Sequence, residues 1–297
     1  LAGLRALSGG APSLALTARR ALALGYGAEP GGVVHVALAG GVTPEMVRRM
    51  ADPSATQELS LPAPIKLDRV ARDALPALAV ALVKLARLLP AAVVAGVPAA
   101  RLPYLAAWAN AERLLVVERE DVEAYRHPEA RGLHQVAEAN VPLAGAQDAR
   151  VIAFQPEDGG KEHLAIVIGR PRLEEPVLVR MHSECFTGDL LGSLRCDCGD
   201  QLRLAIVAMH EAGGGVLLYL AQEGRGIGLV NKLRAYALQD AGADTFAANE
   251  QLGFDDDERS FAPAALMLAK LGIARVRLMT NNPAKVSALQ AAGIEVV

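Results

Sequence analysis

Cysteine is scarce in this chain, with three residues in 297, all between Cys185 and Cys198. An odd, clustered set excludes a closed disulfide framework. It fits a reducing compartment, so a cytoplasmic setting is expected. A dominant charge is lacking too: 30 Lys and Arg against 33 Asp and Glu leave a net −3. Such a balance offers no field for a nucleic-acid backbone, and no nucleic-acid partner is expected. Nor is there an unbroken apolar run. "LPALAVALVKLARLLPAAVVAGV", Leu75 to Val97, is interrupted by Pro76, Lys84, Arg87 and Pro90. It falls short of the roughly 20 apolar residues of a membrane span. A buried Ala/Leu helix is expected there, and no membrane partner. No secretory signal is legible, and the opening at Leu1 rather than Met leaves room for a segment upstream.

What is present divides into two textures. Residues 1–130 are rich in Ala, Leu, Val and Arg, with few polar groups placed for chemistry. "SLALTARRALALG" reads as a helix and "GGVVHVALAGG" as a short strand between glycine turns. "TPEMVRRMADP" reads as a helix with Thr43 as N-cap and Pro44 at its first position. The charged "EREDVEAYRHPEARG" ends in Pro and Gly, which suggests a linker near 125–135. From about 136 onward, strands alternate with helices. "EEPVLVRMHS" ends a strand, and "GGGVLLYLAQEGRGIG" runs from an apolar strand into a glycine loop. "LVNKLRAYALQDAG" has Leu229, Leu233, Tyr236 and Ala237 at helical spacing. "ARVRLMTNNPAKVSALQAAG" is a strand, a turn and a helix, with Asn282 as cap and Pro283 opening the helix. The expectation is an α/β fold with two domains, 1–130 and 136–297.

The cysteines carry the sharpest signal. Within "HSECFTGDLLGSLRCDCGDQL" they are spaced Cys-x10-Cys-x-Cys. Thiolates are soft ligands suited to zinc, and three protein ligands plus water make the open arrangement of a catalytic site. Cys196 and Cys198 can meet one metal only if the backbone turns, and Gly192 and Gly199 are placed to allow it. A closed structural site would need His182 or His210 as fourth ligand. Three buried thiols is the competing reading, but clustering favours metal. The loop "QEGRGIGLVNK" follows a strand and opens a helix, a setting that favours phosphate, although a tight structural turn fits it equally. It is neither a P-loop nor a dinucleotide fingerprint. Asp255, Asp256, Asp257, Glu258 and Arg259 form a charged run that by itself reads as a solvated loop. Arg180, Arg195, Arg225, Arg259 and Lys285 supply cations of the kind a triphosphate needs.

The stretches "VRMHSECFTGDLLGSLRCDCGDQL", "QEGRGIGLVNKLRAYALQDAGADTFAANEQLGFDDDER" and "LMTNNPAKV" closely resemble GTP cyclohydrolase II, in the family's order. The resemblance covers 136–297. It implies an α/β catalytic domain preceded by a smaller Ala/Leu-rich α/β domain. The implied reaction converts GTP to 2,5-diamino-6-ribosylamino-4(3H)-pyrimidinone 5′-phosphate, formate and diphosphate, in riboflavin biosynthesis. One Zn2+ per subunit is implied, with Mg2+ on the triphosphate. A homodimer is implied as well, which suits an apolar chain with few aromatics.

Carried over by position, Cys185, Cys196 and Cys198 match the zinc ligands. Arg180, Met181, His182, Ser183 and Glu184 match the first GTP-contacting segment, with Met181 where a small aliphatic residue is usual. Gln201, Glu223, Gly224, Arg225, Thr245, Thr280 and Lys285 match further GTP contacts. Asp257 matches the proton acceptor, Arg259 the assigned nucleophile and Tyr236 a tyrosine near the ring-opening site. A guanidinium is a poor nucleophile, so charge stabilisation by Arg259 with water attacking phosphorus is an alternative. "LLVVEREDVEAYR" and "VAEANVPL" resemble the junction of bifunctional enzymes with an upstream 3,4-dihydroxy-2-butanone 4-phosphate synthase. No dense acidic metal motif occurs in 1–120, so a degenerate, non-catalytic relative or an unrelated packing domain is expected there. The resemblance implies continuation past Val297. A GTP-binding regulatory pseudoenzyme, or an enzyme that opens the ring but retains the formyl group, are the rival functions. The complete cysteine set with Asp257 and Arg259 favours the full hydrolase, and Tyr236 argues against formyl retention. Because every assigned site residue lies beyond 179, turnover is expected to survive deletion of 1–130.

Overall fold

A computed structural model describes residues 1–26, 31–38, 42–54, 67–126 and 132–297. The chain opens with α1 (Ala2–Leu7), β1 (Ser13–Thr17), α2 (Ala18–Ala23), β2 (Val33–Ala37), α3 (Pro44–Ala51) and β3 (Leu67–Arg69). It continues with α4 (Leu75–Leu85), β4 (Ala91–Val94), α5 (Leu105–Ala111), α6 (Arg119–Arg126), β5 (Leu133–Asn140), β6 (Arg150–Pro156) and β7 (His163–Gly169). Then come β8 (Val177–Ser183), α7 (Cys198–Glu211), β9 (Gly214–Leu220), α8 (Leu229–Asp240) and α9 (Thr245–Leu252). The chain closes with α10 (Ala262–Lys270), β10 (Arg275–Leu278), α11 (Pro283–Ala291) and β11 (Glu295–Val296). The α/β class is as expected. The compact units do not follow one break in the chain: Leu1–Arg126 gathers with Ile227–Glu258, and His127–Gly226 with Arg259–Val297.

The first unit holds an antiparallel sheet in the order β3-β2-β1-β4. "SLALTARRALALG" is not one helix. Its first five residues form β1, with Leu14, Ala15 and Leu16 buried and paired to strands on both sides. Two-sided pairing overrides the helical propensity of Ala and Leu. Thr17 then ends the strand and caps α2, accepting from Arg20 N at 3.3 Å. The strand expected in "GGVVHVALAGG" is β2, with residues 39–41 outside the described residues. The helix α3 begins as expected, Thr43 accepting from Met46 N at 3.2 Å with Pro44 at the helix start.

The passage Leu75–Val97 departs from a single buried helix. It is α4, a turn through Arg87 at φ 57°, and then β4 after Pro90. Pro90 cannot continue a helix, and Leu75, Leu82 and Leu88 are exposed. Of the expected linker, 125–126 close α6, 133–135 open β5, and 127–131 lie outside the described residues. In α8 the helix is as expected but its buried face is not. Asn231, Lys232, Ala235 and Leu238 are buried, while Leu233 is exposed. Leu238 packs with Ala235, Ile227, Ala248, Leu252 and Phe254 in a small core.

The second unit is a seven-stranded sheet in the order β11-β10-β8-β9-β7-β6-β5. Strands β11, β10, β8 and β9 run parallel, and β7, β6 and β5 continue antiparallel. Parallel strands need cover on both faces. Val179, Met181 and Leu218 pack with α10 and α11 residues Ala264, Met267, Leu268 and Leu289. Ile168 and Leu217 pack with α7 residues Ala205 and Met209. As expected, β8 ends at Ser183, and Asn282 caps α11 by accepting from Ala284 N at 2.9 Å. Among the described residues, no helix is long and apolar enough to cross a membrane.

Candidate active site

In a doubly covered sheet, polar groups collect beyond the carboxyl ends of the parallel strands. Three adjacent strands of the second unit end this way. Strand β8 delivers Arg180 to Cys185, β9 leads into Glu223–Arg225, and β10 leads to Thr280 and then Lys285 on α11.

The cysteine turn starts at the end of β8. Cys185 is followed by a π-helical turn, Phe186–Leu190, a rare geometry frequent at functional sites. Gly192 at φ 64° redirects the chain as expected, and Cys198 opens α7. The three Sγ atoms lie within 4.8 Å of one another, with Cys185 and Cys196 at 3.6 Å. A Cβ on Gly188 would fall 2.7 Å from Cys196 Sγ and 3.1 Å from Cys185 Sγ. The turn therefore keeps open a space that any side chain at 188 would fill. Burial, then the neighbouring thiols, push the Cys198 thiol pKa up. A bound cation reverses that, because metal binding displaces the thiol protons. The donor set fits a soft metal ion, and it is open: among the described residues these three form the group alone. His182 and His210 do not complete it, since they engage Asp189 and Asp148.

Two carboxylates fix this turn from behind. Asp189 accepts from Cys185 N at 3.0 Å, from Tyr219 OH at 2.9 Å and faces His182 Nε2 at 3.0 Å. The His182 ring stacks on Tyr219 with centroids 5.5 Å apart. Burial opposes ionisation of Asp189, but the hydrogen bond and charge of His182, with Tyr219 and Cys185 N, hold its carboxyl below the usual value. Tyr219 is pushed up by burial and by the bond to Asp189. Glu223, 2% exposed, accepts from Phe186 N at 2.6 Å and from Gly224 N at 3.0 Å. Consecutive backbone N–H groups of the cysteine turn are thus held by two different carboxylates.

Other residues singled out by the sequence meet around this turn. Arg180 donates to Met279 O at 3.2 Å and to Gln201 Oε1 at 2.5 Å, and Gln201 donates to Asp197 Oδ2 at 2.6 Å. Arg180 Nε is buried without a hydrogen-bond partner among the described residues, and Glu184 Oε2 faces Lys161 Nζ at 3.7 Å without a hydrogen bond. A buried donor left as Arg180 Nε is points to a partner that the chain itself does not supply. Burial lowers the Arg180 pKa, offset by Asp197 and Cys198. Ser183 accepts from Gln222 at 3.1 Å, with Arg259 Nη1 at 3.5 Å. Arg259 and Lys285 both lie over the Phe261 ring, at 5.3 and 5.9 Å. Lys285 Nζ also donates to Met181 O at 2.6 Å, while the Met181 side chain is buried in the core. Thr280 Oγ1 accepts from Asn282 N. Gly224 and Arg225 both adopt left-handed backbone, at φ 64° and 59°. For Arg225 that is a strained conformation of the kind kept at functional sites.

Asp257, Tyr236 and Thr245 belong to the first unit. Lys232 Nζ lies 5.7 Å from the Tyr236 ring centre, Asp257 is exposed, and Thr245 opens α9. Sequence reasoning missed Gly188, Asp189, Tyr219 and Phe261. Asp189 had a signal: it is a lone acid in an apolar turn, four residues after a ligand-type cysteine.

A family model described as GTP cyclohydrolase II matches residues 134–297. A GTP cyclohydrolase-2 of Azospirillum brasilense is 53% identical over 292 residues, covering 98% of this chain and 75% of that protein. A GTP cyclohydrolase-2 of Azotobacter vinelandii is 60% identical over 143 residues, covering 48% of this chain and 69% of its own. Among solved structures, a two-domain 3,4-dihydroxy-2-butanone 4-phosphate synthase from A. baumannii aligns at a TM-score of 0.32 and 18% identity. It covers 94% of this chain and 81% of that one, a likeness too slight to bear on the fold.

Proposed function

Because this chain belongs to the GTP cyclohydrolase II family of hydrolases, we propose that it converts GTP to 2,5-diamino-6-ribosylamino-4(3H)-pyrimidinone 5′-phosphate, formate and diphosphate. Cys185, Cys196 and Cys198 hold one zinc ion per subunit. The observation that carries this reading is the three-sulfur cluster around the open space at Gly188, at the end of a parallel strand. Zinc held there would supply Lewis acidity to the hydrolysis of the ring.

The remaining chemistry falls to the chain's own groups. Arg180, with its unpaired Nε, and Glu184 orient the substrate, alongside His182, Ser183, Gln201, Glu223, Gly224, Arg225, Thr245 and Thr280. Asp257 accepts a proton and Tyr236 relays one during imidazole opening. Magnesium enters with the triphosphate. Arg259 and Lys285, gathered on Phe261, neutralise charge where the bond between the α- and β-phosphates breaks. A guanidinium is always protonated in proteins, so water attacks phosphorus and Arg259 stabilises. Residues 136–297 form the catalytic region and 1–130 a non-catalytic one. The enzyme acts as a cytoplasmic homodimer. The test is incubation with GTP and magnesium, quantifying formate, diphosphate and pyrimidine. Stoichiometric formate and diphosphate are expected. A pyrimidine that keeps its formyl group, or GTP bound and unchanged, would sink the reading.

A further inference from the structure

The acidic run Asp255–Glu258 is not a simply solvated loop. Four carboxylates in succession repel one another, and two cations from far away in the sequence gather three of them. Arg19 lies 2.5 Å from Glu250, 3.1 Å from Asp255 and 3.3 Å from Asp256. Lys84 lies 3.2 Å from Asp255 and 2.5 Å from Glu258. Glu258 folds back to accept from Asp255 N at 2.8 Å, which closes the run into a tight turn. The pinned acids, 255, 256 and 258, stand on both sides of Asp257. The cations are three-quarters buried, with side chains 24% and 23% exposed, while Asp255 is 58% exposed. At Asp255 and Asp256 the more buried partner is therefore the cation, while Glu258 is about as buried as Lys84.

The backbone before the run is gripped by the same segment. Thr17 Oγ1 donates to Gly253 O at 2.7 Å, and Arg20 Nη1 donates to Gln251 O at 2.9 Å. Gly253 ends α9 at φ 87°, and a Cβ there would meet Thr17 Oγ1 at 2.7 Å and Pro90 Cγ at 3.0 Å. Phe254, fully buried, anchors the chain between grip and turn. All of these groups lie in one compact unit.

We propose that Arg19 and Lys84 are positioning residues that hold Asp257 in place for proton transfer, and that this is what residues 1–126 contribute to turnover. The proposal rests on the reading of Asp257 as proton acceptor. It runs against the expectation that turnover survives deletion of residues 1–130, since Ile227–Glu258 gathers with Leu1–Arg126 in one compact unit. Ion pairs are the suitable device because the loop must be fixed while its carboxylates stay ionised. Burial in an apolar setting would neutralise them.

The experiment uses the full-length, metal-loaded protein. Arg19→Ala should lower kcat about 10-fold, the scale of a sub-ångström misplacement of a catalytic group. KM for GTP should stay within about two-fold, because ground-state binding is untouched. Zinc content and melting temperature should match those of Glu45→Ala, which removes surface ion pairs of the same unit. Lys84→Met should act in the same direction, and Lys84→Arg should restore most of the loss. Should Arg19→Ala not fold, Lys84→Met tests the same loop from its other side. In an Asp257→Asn background, Arg19→Ala should cost nothing further, since it acts through Asp257. Wild-type kcat in folded Arg19→Ala and Lys84→Met, with Asp257→Asn inactive, overturns the positioning role alone. So does a loss confined to KM, or one that simply multiplies with Asp257→Asn. Wild-type turnover in Asp257→Asn instead overturns the reading of Asp257 itself.

Discussion

The cysteine turn and the acidic run are held by opposite means. At the cysteine turn, buried carboxylates of Asp189 and Glu223 accept backbone N–H groups of Cys185 and Phe186, with Tyr219 and His182 completing one of them. At the acidic run, the exposed Asp255 and Asp256 and the partly buried Glu258 are collected by the three-quarters buried cations Arg19 and Lys84. The first arrangement joins groups within 37 residues of one another and is largely buried, which shields it from salt. The second spans 236 and 171 residues of sequence and lies within reach of solvent ions. In the proposed roles, a metal ligand has to be fixed to fractions of an ångström and a proton-transfer group has to remain ionisable, and each device would suit its task.

The sharpest way to break the first arrangement is to fill it. Gly188→Ala would put a methyl within 2.7 Å of Cys196 Sγ. Metal analysis of the folded variant should find zinc below about a tenth of an equivalent, because a ligand set that cannot close loses its ion. Asp189→Asn comes next. It leaves the sulfurs in place but weakens the acceptor of three donors. Competition with a chelator should show zinc affinity down about 10- to 100-fold, the range for outer partners of metal ligands. Unchanged affinity would show that the turn is fixed by Glu223 alone.

The first unit has a buried counterpart that would sharpen the comparison. Arg20 donates to Met50 O at 2.7 Å, Gln251 O at 2.9 Å and Arg49 O at 3.0 Å. Burial lowers its pKa to about 10, with Asp52 partly offsetting that, so it is charged at neutral pH. Arg20→Ala should cost the first unit about 3 kcal/mol in denaturant unfolding, since one buried and two part-buried carbonyls lose a charged donor. Salt should leave that figure unchanged, in contrast to the Arg19 pairs.

The smallest effect is the pH response of Asp255. Partial burial opposes its ionisation, but Lys84 and Arg19 prevail and hold its carboxyl below the ordinary 3.8. The folded value is thus the lower one. Its contribution is present in full above the unfolded value and is lost as pH falls through the folded one. Unfolding curves of wild type and Asp255→Asn should differ at neutral pH and converge below the carboxylate range. Solvent exposure keeps the gap small, and 1 M salt should narrow it further.

The two regions also differ in how far the sequence discloses them. The cysteine cluster was legible because its ligands fall within 14 consecutive residues and its chemistry lies in the residue type. Its supports were less so: Asp189 sits inside the same motif, but Tyr219 arrives only through the pairing of β9 with β8. The clamp on the acidic run was not legible at all. Nothing in "TARRALALG" marks Arg19 as the partner of Asp255, and the run alone reads as solvated surface. For the same reason "SLALT" reads as helix in the sequence, since pairing to strands on both sides is a tertiary fact. The face of α8 was misplaced because it buries Asn231, which donates to Arg87 O at 2.9 Å, and Lys232. Apolar periodicity cannot register a polar buried face.

Cys196→Ser tests the central claim most directly. Serine is a weak, hard, neutral ligand for zinc at neutral pH, and Cys196 lies 3.6 Å from Cys185 in the cluster. Wild type should carry one zinc per chain and release formate from GTP. Folded Cys196→Ser should carry none and release formate only at background, while phosphate cleavage, proposed to rely on magnesium, Arg259 and Lys285, should persist in part. Formate released at the wild-type rate by zinc-free Cys196→Ser would contradict the account and reduce the three cysteines to packing.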